Sequence, residues 1–557
     1  MAVSTSKDKE STHEEYVPEV LRAQEVVDHN IHHPVGWWNW RVLMNSESIL
    51  VSLSIVESLR DSYIKISPTY IPAVVIVGLS MGLYGYDNNF VAPLLSLPLF
   101  ILKYQGGGLA FTARNLDVIV TVPLVGAAIG TFMGAPLMKY IGRKKTFLTA
   151  YFLLCTPGSL LQLFAPNLGA LVVGRLWNYL GVSVLTTTAP LYLSELVPTH
   201  IRGRAVGFCI AGVAVVAIFA TTIVWGTEKI NDERQYKVPL AIQAACPVAF
   251  GCLTLLCSES PVWYAQHDRL DRARLTLMAL RNNMTEIVDA ELSMHQVAVT
   301  AEAERRRQTR FWDILHSAHL KRTITAGALL SSSQVGGQIL VGTYSTVILV
   351  QSGVANPFQI TIIITCLQCL GTIIGPTLVD KAGRRPVAIT GFSILFLLNM
   401  TAGGLAAAGL TTKSQRLGLA AVFITFAFFN AASFLSLAFV LPTEIATTSL
   451  REPTMAWSLF WSYVTAVITT FAVPQITAAD AGNLGAKAAF IFGGCVFITL
   501  VWAYFYIPET KARTIAEVDE MYAINLPMRR WRNYQCQAVI NTAIEVQRHG
   551  SIDGEDA

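Results

Sequence analysis

Two ionisable residues, Asp87 and Arg175, stand inside long apolar runs. A charge in hydrocarbon costs about 2.5–3.5 kcal/mol on insertion scales, so a residue kept there is a functional candidate. Asp87 lies about ten residues from the outer end of its run and Arg175 about eight, ~15 Å and ~12 Å deep at 1.5 Å per residue. At matched depth the two can pair. A protonated Asp87 releases Arg175 and an ionised Asp87 holds it, which is the chemistry of proton coupling. The alternative is a static ion pair that ties two helices together. All ten histidines lie outside the cores of the apolar runs, so a histidine relay is not expected and Asp87 is the main titratable candidate.

A second kind of chemistry is suggested by Ser331, Gln334 and Gln338. Gln334 and Gln338 are spaced i,i+4, which predicts one shared helix face. Their amides can donate and accept, as a polyol ligand requires. The alternative use is a hydrogen bond between helices. A third set lies at the ends of the runs: Arg143, Glu195 with Arg202, Glu259, Asp380 with Arg384 and Arg385, Glu444 with Arg451, and Glu509. Charge pairs there can hold helix ends together while an inner gate is closed and part when it opens. Plain topological flanking accounts for arginines and lysines, but not for the repeated acids.

These residues need elements to position them, and the composition says which. Of 557 residues, 53% are hydrophobic and 14% charged. Soluble globular proteins carry roughly 25% charged residues. A soluble enzyme, a disordered chain and a basic-patch nucleic-acid binder are therefore excluded. About 20 apolar residues cross a bilayer as a helix. Twelve runs meet that length, near 71–97, 116–138, 145–165, 167–194, 205–227, 236–257, 323–351, 357–379, 385–409, 414–441, 454–476 and 484–507. They predict an all-α membrane protein with twelve transmembrane helices. Eight of the nine cysteines fall in or at the edges of these runs, which is not a disulfide framework. Cys366 and Cys369 have metal-like spacing but no nearby histidine, so packing is expected and no metal.

Lys139, Arg143, Lys144, Lys145, Arg202, Arg204, Lys381, Arg384, Arg385, Arg529, Arg530 and Arg532 fall on one side of this topology. The positive-inside rule makes that side, and both termini, cytoplasmic. No cleaved signal peptide is expected before the first run. The chain then divides into a cytoplasmic segment 1–70, a six-helix half 71–257, a linker 258–322 with amphipathic helices, a second half 323–507 and a tail 508–557. An internal repeat supports this division. Gly142-Arg143-Lys144 returns 241 residues on as Gly383-Arg384-Arg385, and Glu195-x6-Arg202 returns 249 residues on as Glu444-x6-Arg451. Duplicated halves with a site between them are the plan of a secondary transporter.

At these motifs the sequence resembles the sugar porter family of the major facilitator superfamily, nearest to fungal maltose and α-glucoside permeases. The residues that carry the resemblance are Gly85-Tyr86-Asp87, Gly174-Arg175, Pro190-Leu191-Tyr192 through Arg202-Gly203-Arg204, Glu259-Ser260-Pro261 with Trp263, and Pro508-Glu509-Thr510-Lys511 through Glu520. Ala512 replaces the family's glycine in the last of these, and Lys139 stands where the family has an acid. The resemblance covers roughly residues 70 to 522. It implies two pseudo-symmetric six-helix halves in the major facilitator fold, moving a sugar or related small polar metabolite by alternating access. It adds weight to proton-coupled symport through Asp87 and Arg175, and it implies sugar contacts on the seventh span and at Phe439 of the tenth.

Several positions depart from the family. Ser333-Gln334 replaces a pair of glutamines, Ile339 an asparagine, and Tyr179 and Ser183 replace glycines. A site that loses amides binds hydroxyls less well. Transport of a less polar metabolite, in either direction, and a non-transporting nutrient sensor are therefore the alternatives. The short tail disfavours the sensor. Neither a catalytic centre nor a cofactor beyond a proton gradient is expected. The expected partners are a sugar-like solute and the lipid bilayer, with no nucleic acid. The expected protein is a monomer in the plasma membrane.

Overall fold

The computed structural model describes residues 70–534, apart from 107–109, 198–201, 282–283, 309–310, 448–449, 512 and 514. The expected N-terminal segment and the end of the tail lie outside the described residues. Every regular element among the described residues is helical. Nine helices among them are long and apolar enough to cross a membrane: Ala113–Ile141, Arg143–Leu163, Leu168–Leu196, Arg234–Thr254, Pro357–Ala382, Arg384–Ala407, Lys413–Ile445, Pro453–Thr477 and Gly485–Tyr506. They fall on predicted spans two, three, four, six and eight to twelve. Span five is the helix Arg202–Thr227.

Spans one and seven are not single helices. Span one runs as Tyr70–Ser80, Gly82–Asn89 and Val91–Leu94. Span seven runs as Ser317–Ser333, a π-helical turn Gln334–Gln338, Ile339–Gly342 and Ser345–Gln351. Broken helices at membrane depth survive only where neighbours take up the freed backbone groups. Span nine does this for span seven: Asn399 Nδ2 donates to the carbonyl of Gly336 at 3.3 Å.

Two compact units form. The first holds the described part of Met1–Phe90 with Val125–Ile223 and Lys229–Gln308. Its core includes Phe147, set edge-on to Tyr151 and Tyr192 at 5.9 and 5.5 Å between ring centroids. Gly134 leaves room for Thr187, where an added Cβ would sit 2.5 Å from the hydroxyl oxygen. The linker helices Pro261–Gln266, Leu270–Leu280 and Thr285–Gln308 belong to this unit. Buried Arg281 fastens them, bonding Glu291 at 2.8 and 2.9 Å and the Leu196 carbonyl at the end of span four at 3.1 Å. Arg274 bonds Asp289 at 2.7 Å on the exposed face and holds that carboxyl below its ordinary range.

The second unit holds the described part of Thr309–Ala557 with Val91–Leu124 and Val224–Glu228. Phe392 stacks on Phe434 at 3.9 Å in its core. Gly375 faces Ser436 as Gly134 faces Thr187, and the repeat offsets of 241 and 249 residues relate the two contacts. The duplication is therefore present in the packing as well as in the motifs. This unit also takes in the ends of spans one and two that lie away from the arginine-rich loops. Asp480 accepts the Ala113 N–H at 3.0 and 3.2 Å, capping span two, and Gln475 donates to Asp117 at 2.6 Å.

Candidate functional site

Asp87 sits on the short second helix of span one and is 3% exposed. Each carboxylate oxygen takes a hydrogen bond from an amide: Asn178 of span four donates at 2.8 Å, and Gln243 of span six donates to the other. Asn178 Oδ1 in turn accepts from Ser159 of span three at 3.1 Å. Four spans therefore converge on one carboxylate. Buried Arg175 lies one turn from Asn178, its guanidinium 5.4 Å from the Tyr179 ring centroid. The Tyr179 hydroxyl donates to the Asp87 carbonyl at 3.1 Å, which links the arginine's neighbour back to span one. Asp87 and Arg175 thus lie in one buried cluster, and the amides of Asn178 and Gln243 are the carboxylate's hydrogen-bond donors. Nothing in the sequence singles out those two amides, although Asn178 shares a face with Arg175 three residues earlier.

The arginine-rich ends carry the same knot twice. In the first unit the Arg143 guanidinium meets Glu195 at 2.8 Å, and the Ser260 hydroxyl donates to the other Glu195 oxygen. Glu259 accepts the backbone N–H groups of Arg143 and Lys144 at 2.7 and 3.0 Å, capping the helix that starts there. In the second unit Arg384 meets Glu444 at 2.7 Å, and Thr510 donates to Glu444. Glu509 accepts from the N–H groups of Arg384 and Arg385 at 3.0 and 3.2 Å. A carboxylate at a helix N-terminus satisfies orphan donors and faces the positive end of the dipole.

Gly142 and Gly383 precede the capped helices, each with φ of +96°. Only glycine holds that angle without strain. An added Cβ would also lie 2.5 Å from Glu259 at the first position and 2.6 Å from Glu509 at the second.

The spacing pairs Glu195 with Arg202 and Glu444 with Arg451, and the structure corrects the second pairing. The acids reach back to Arg143 and Arg384, on the helix that starts span three or span nine. Each of these knots joins helices within one unit. Arg451 donates to the Thr443 carbonyl at 3.1 Å, and the Arg202 side chain lies outside the described residues. Asp380 meets Arg384 at 3.1 Å, and Arg385 bonds the carbonyls of Tyr504 and Ile507 at 2.6 and 3.0 Å. Ser260 and Thr510 are partners that charge patterning could not reveal, because they are neutral.

The polar stretch of span seven falls at its break. Gly337 has φ of +96° inside the π-helical turn, so the regular helical wheel on which a common face for Gln334 and Gln338 is expected does not apply there. Gln338 turns back and accepts from the Ser333 hydroxyl at 2.5 Å. Gln334 is half-buried, and its amide makes no hydrogen bond among the described residues, as is also true of the Ser331 hydroxyl. Phe439 is on span ten, but its side chain lies outside the described residues.

Comparison with known proteins agrees with this architecture. The model of the family described as "Sugar (and other) transporter" matches residues 73–522. The major facilitator-type transporter ecdD of Aspergillus rugulosus is 28% identical, over 81% of this chain and 87% of its own. The general alpha-glucoside permease of Saccharomyces cerevisiae is 24% identical, over 82% and 76%. In fold, the chain is similar to the xylose transporter XylE from E. coli in a partially occluded inward open conformation. That likeness has a TM-score of 0.67 at 17% identity and covers 80% of this chain and all of that one. Another structure of XylE describes it as a proton:xylose symporter. The helical spans, the duplicated knots and the match over most of the length lead to one assignment: the chain belongs to the sugar (and other) transporter family, with the major facilitator fold, and is a membrane transporter rather than an enzyme.

Proposed function

We propose that this transporter moves a sugar-like solute together with a proton, and that Asp87 is the residue whose protonation is coupled to transport. One observation carries the reading: a carboxylate fully inside the first unit, held by two neutral amides, with Arg175 in the same cluster. A neutral amide can hydrogen-bond either form of the acid, so the cluster tolerates both protonation states. A purely structural ion pair has no need of that tolerance. The description of XylE as a proton:xylose symporter and of the yeast relative as an alpha-glucoside permease supports the solute class and the coupling.

In this reading Gln334, Ser331, Gln338 and Phe439 contact the solute. The knots of Arg143, Glu195 and Glu259, and of Arg384, Glu444 and Glu509, with Asp380, Arg385, Arg202 and Arg451, brace the cytoplasmic ends. The protein works as a monomer in the plasma membrane with both termini cytoplasmic, which the lysine and arginine distribution supports for the termini. A less polar solute is the second reading. It is favoured by Gln338, whose amide oxygen is already engaged by Ser333.

The test is uptake in vesicles with and without an imposed pH gradient. Asp87→Asn is expected to lose gradient-driven accumulation and keep solute exchange, and Arg175→Ala to impair both. A parent protein indifferent to the gradient, or an Asp87→Asn variant that accumulates like the parent, overturns the coupling.

A further inference from the structure

After span twelve ends at Tyr506, the chain forms the helix Ile515–Ala523 and a short turn of 3-10 helix, Met528–Asn533, that returns to the end of that span. Trp531 anchors the turn. It is fully buried, packs edge-on to Tyr522 at 5.0 Å and donates to the Leu526 carbonyl at 3.1 Å. Arg513 adds bonds to the carbonyls of Trp531 and Tyr534 at 3.0 and 2.6 Å. With the tryptophan turned in, Arg529, Arg530 and Arg532 are exposed.

The place to which they return is an aromatic collar. Tyr504, Phe505 and Tyr506 are about half exposed at the end of span twelve, the position aromatic side chains take at a membrane–water interface. The Arg529 guanidinium lies 4.2 Å from the Tyr504 ring centroid and 4.8 Å from that of Phe505. Arg385 lies 5.6 Å from the same Tyr504 ring, so the two guanidinium carbons are less than 10 Å apart.

Four neighbouring acids are engaged elsewhere: Asp380 with Arg384, Glu517 with Arg513, Asp519 with Arg322, and Glu509 with backbone N–H groups. Among the described residues none of the three exposed arginines forms an ion pair. Like charges are thus held together on one turn beside the aromatic collar, without a counter-charge among the described residues. Polybasic segments beside a membrane span are attracted to anionic lipid, and the guanidinium fork matches phosphate.

We propose that Arg529, Arg530 and Arg532, together with Arg385 and the Tyr504–Phe505 collar, seat the phosphate-bearing headgroup of an anionic phospholipid in the leaflet facing the arginine-rich end.

The experiment equilibrates the full chain, in detergent, with phosphatidylinositol or with phosphatidylcholine of the same acyl chains, and counts retained lipids by native mass spectrometry. The parent is expected to retain phosphatidylinositol in preference, and each Arg→Gln change at 529, 530 or 532 to lower that retention about fivefold. Arg→Lys changes at the same three positions keep the charge and are expected to keep part of the retention. A matching elution profile and melting temperature show that the variants are folded. Equal retention of the two lipids by the parent overturns the proposal, as does a folded triple Gln variant that retains phosphatidylinositol like the parent. Displacement of the lipid by millimolar inorganic phosphate also overturns it, because the seat is then a site for soluble anions.

Discussion

Glu259 and Glu509, 250 residues apart, are equivalent caps, each accepting the first backbone N–H groups of the helix that begins at Arg143 or Arg384. The knots around them differ in depth. The Glu195 side chain is 9% exposed beside Arg143, whereas Glu444 is 28% exposed beside Arg384. Removing one member of a buried pair strands the other and costs about 3–5 kcal/mol, while exposed pairs are worth about 0–1 kcal/mol. Arg143→Ala is therefore expected to lower the melting temperature of the detergent-purified protein more than Arg384→Ala. Equal effects would show that the stranded acid is not what sets the cost.

Replacing the caps is expected to cost less. Glu259→Ala and Glu509→Ala each leave helix N–H groups without their acceptor, a loss of about 0.5–2 kcal/mol by the usual worth of a cap. Gly142→Ala and Gly383→Ala are expected to cost more than either cap deletion, since strain at positive φ adds to a clash with the carboxylate. Thermal melts of the four variants check the order.

The two amides on Asp87 are expected to matter for transport. A hydrogen bond to a charged group is worth about 1.5–3 kcal/mol, or roughly 10–100-fold in an equilibrium. Gln243→Leu and Asn178→Leu should lower uptake at least about tenfold at unchanged surface abundance. Normal uptake by both variants would reduce the amides to packing.

On span seven the two glutamines are expected to separate. Among the described residues the Gln334 amide makes no hydrogen bond, whereas Gln338 is already paired with Ser333. Gln334→Ala should raise the apparent KM about two- to tenfold, by the net worth of one hydrogen bond, and more than Gln338→Ala does. Ser333→Ala frees Gln338 and should change solute preference more than abundance. A panel of labelled sugars and less polar solutes reads all three.

The orientation has its own check. Asn283-Met284-Thr285 is a glycosylation sequon in the linker. With the linker cytoplasmic it stays unmodified, so an endoglycosidase should leave the protein's mobility on a gel unchanged. A shift that Asn283→Gln abolishes would reverse the topology.

The spans are legible in the sequence because about 20 apolar residues have few uses other than crossing a bilayer. Asp87 and Arg175 are legible because charge is conspicuous in such a run. Asn178 and Gln243 are not, since neutral amides occur in membrane helices without marking a site. The repeat is visible in Gly142 and Gly383, but the partners of Glu195 and Glu444 are not. Spacing along the chain favours near neighbours, whereas each acid finds an arginine about 50–60 residues earlier on another span. The break in span seven is hidden because Gly336-Gly337 is tolerated inside an apolar run, and only tertiary support from Asn399 makes a turn of it.

The bracket at the base of span seven bears on how the protein is made. Arg322 is 6% exposed; it pairs with Asp519, 197 residues further on, and lies 4.3 Å from the ring centroid of Tyr522. During synthesis, all twelve spans have been translated before that counter-charge emerges. The arginine must wait in water or sit uncompensated, and a buried unpaired charge is strongly unfavourable. The tail helix therefore acts as a clasp fastened last. A chain cut ahead of Asp519 keeps every span yet loses both the carboxylate that pairs with Arg322 and the Tyr522 ring that covers it, so the foot of span seven is left uncovered.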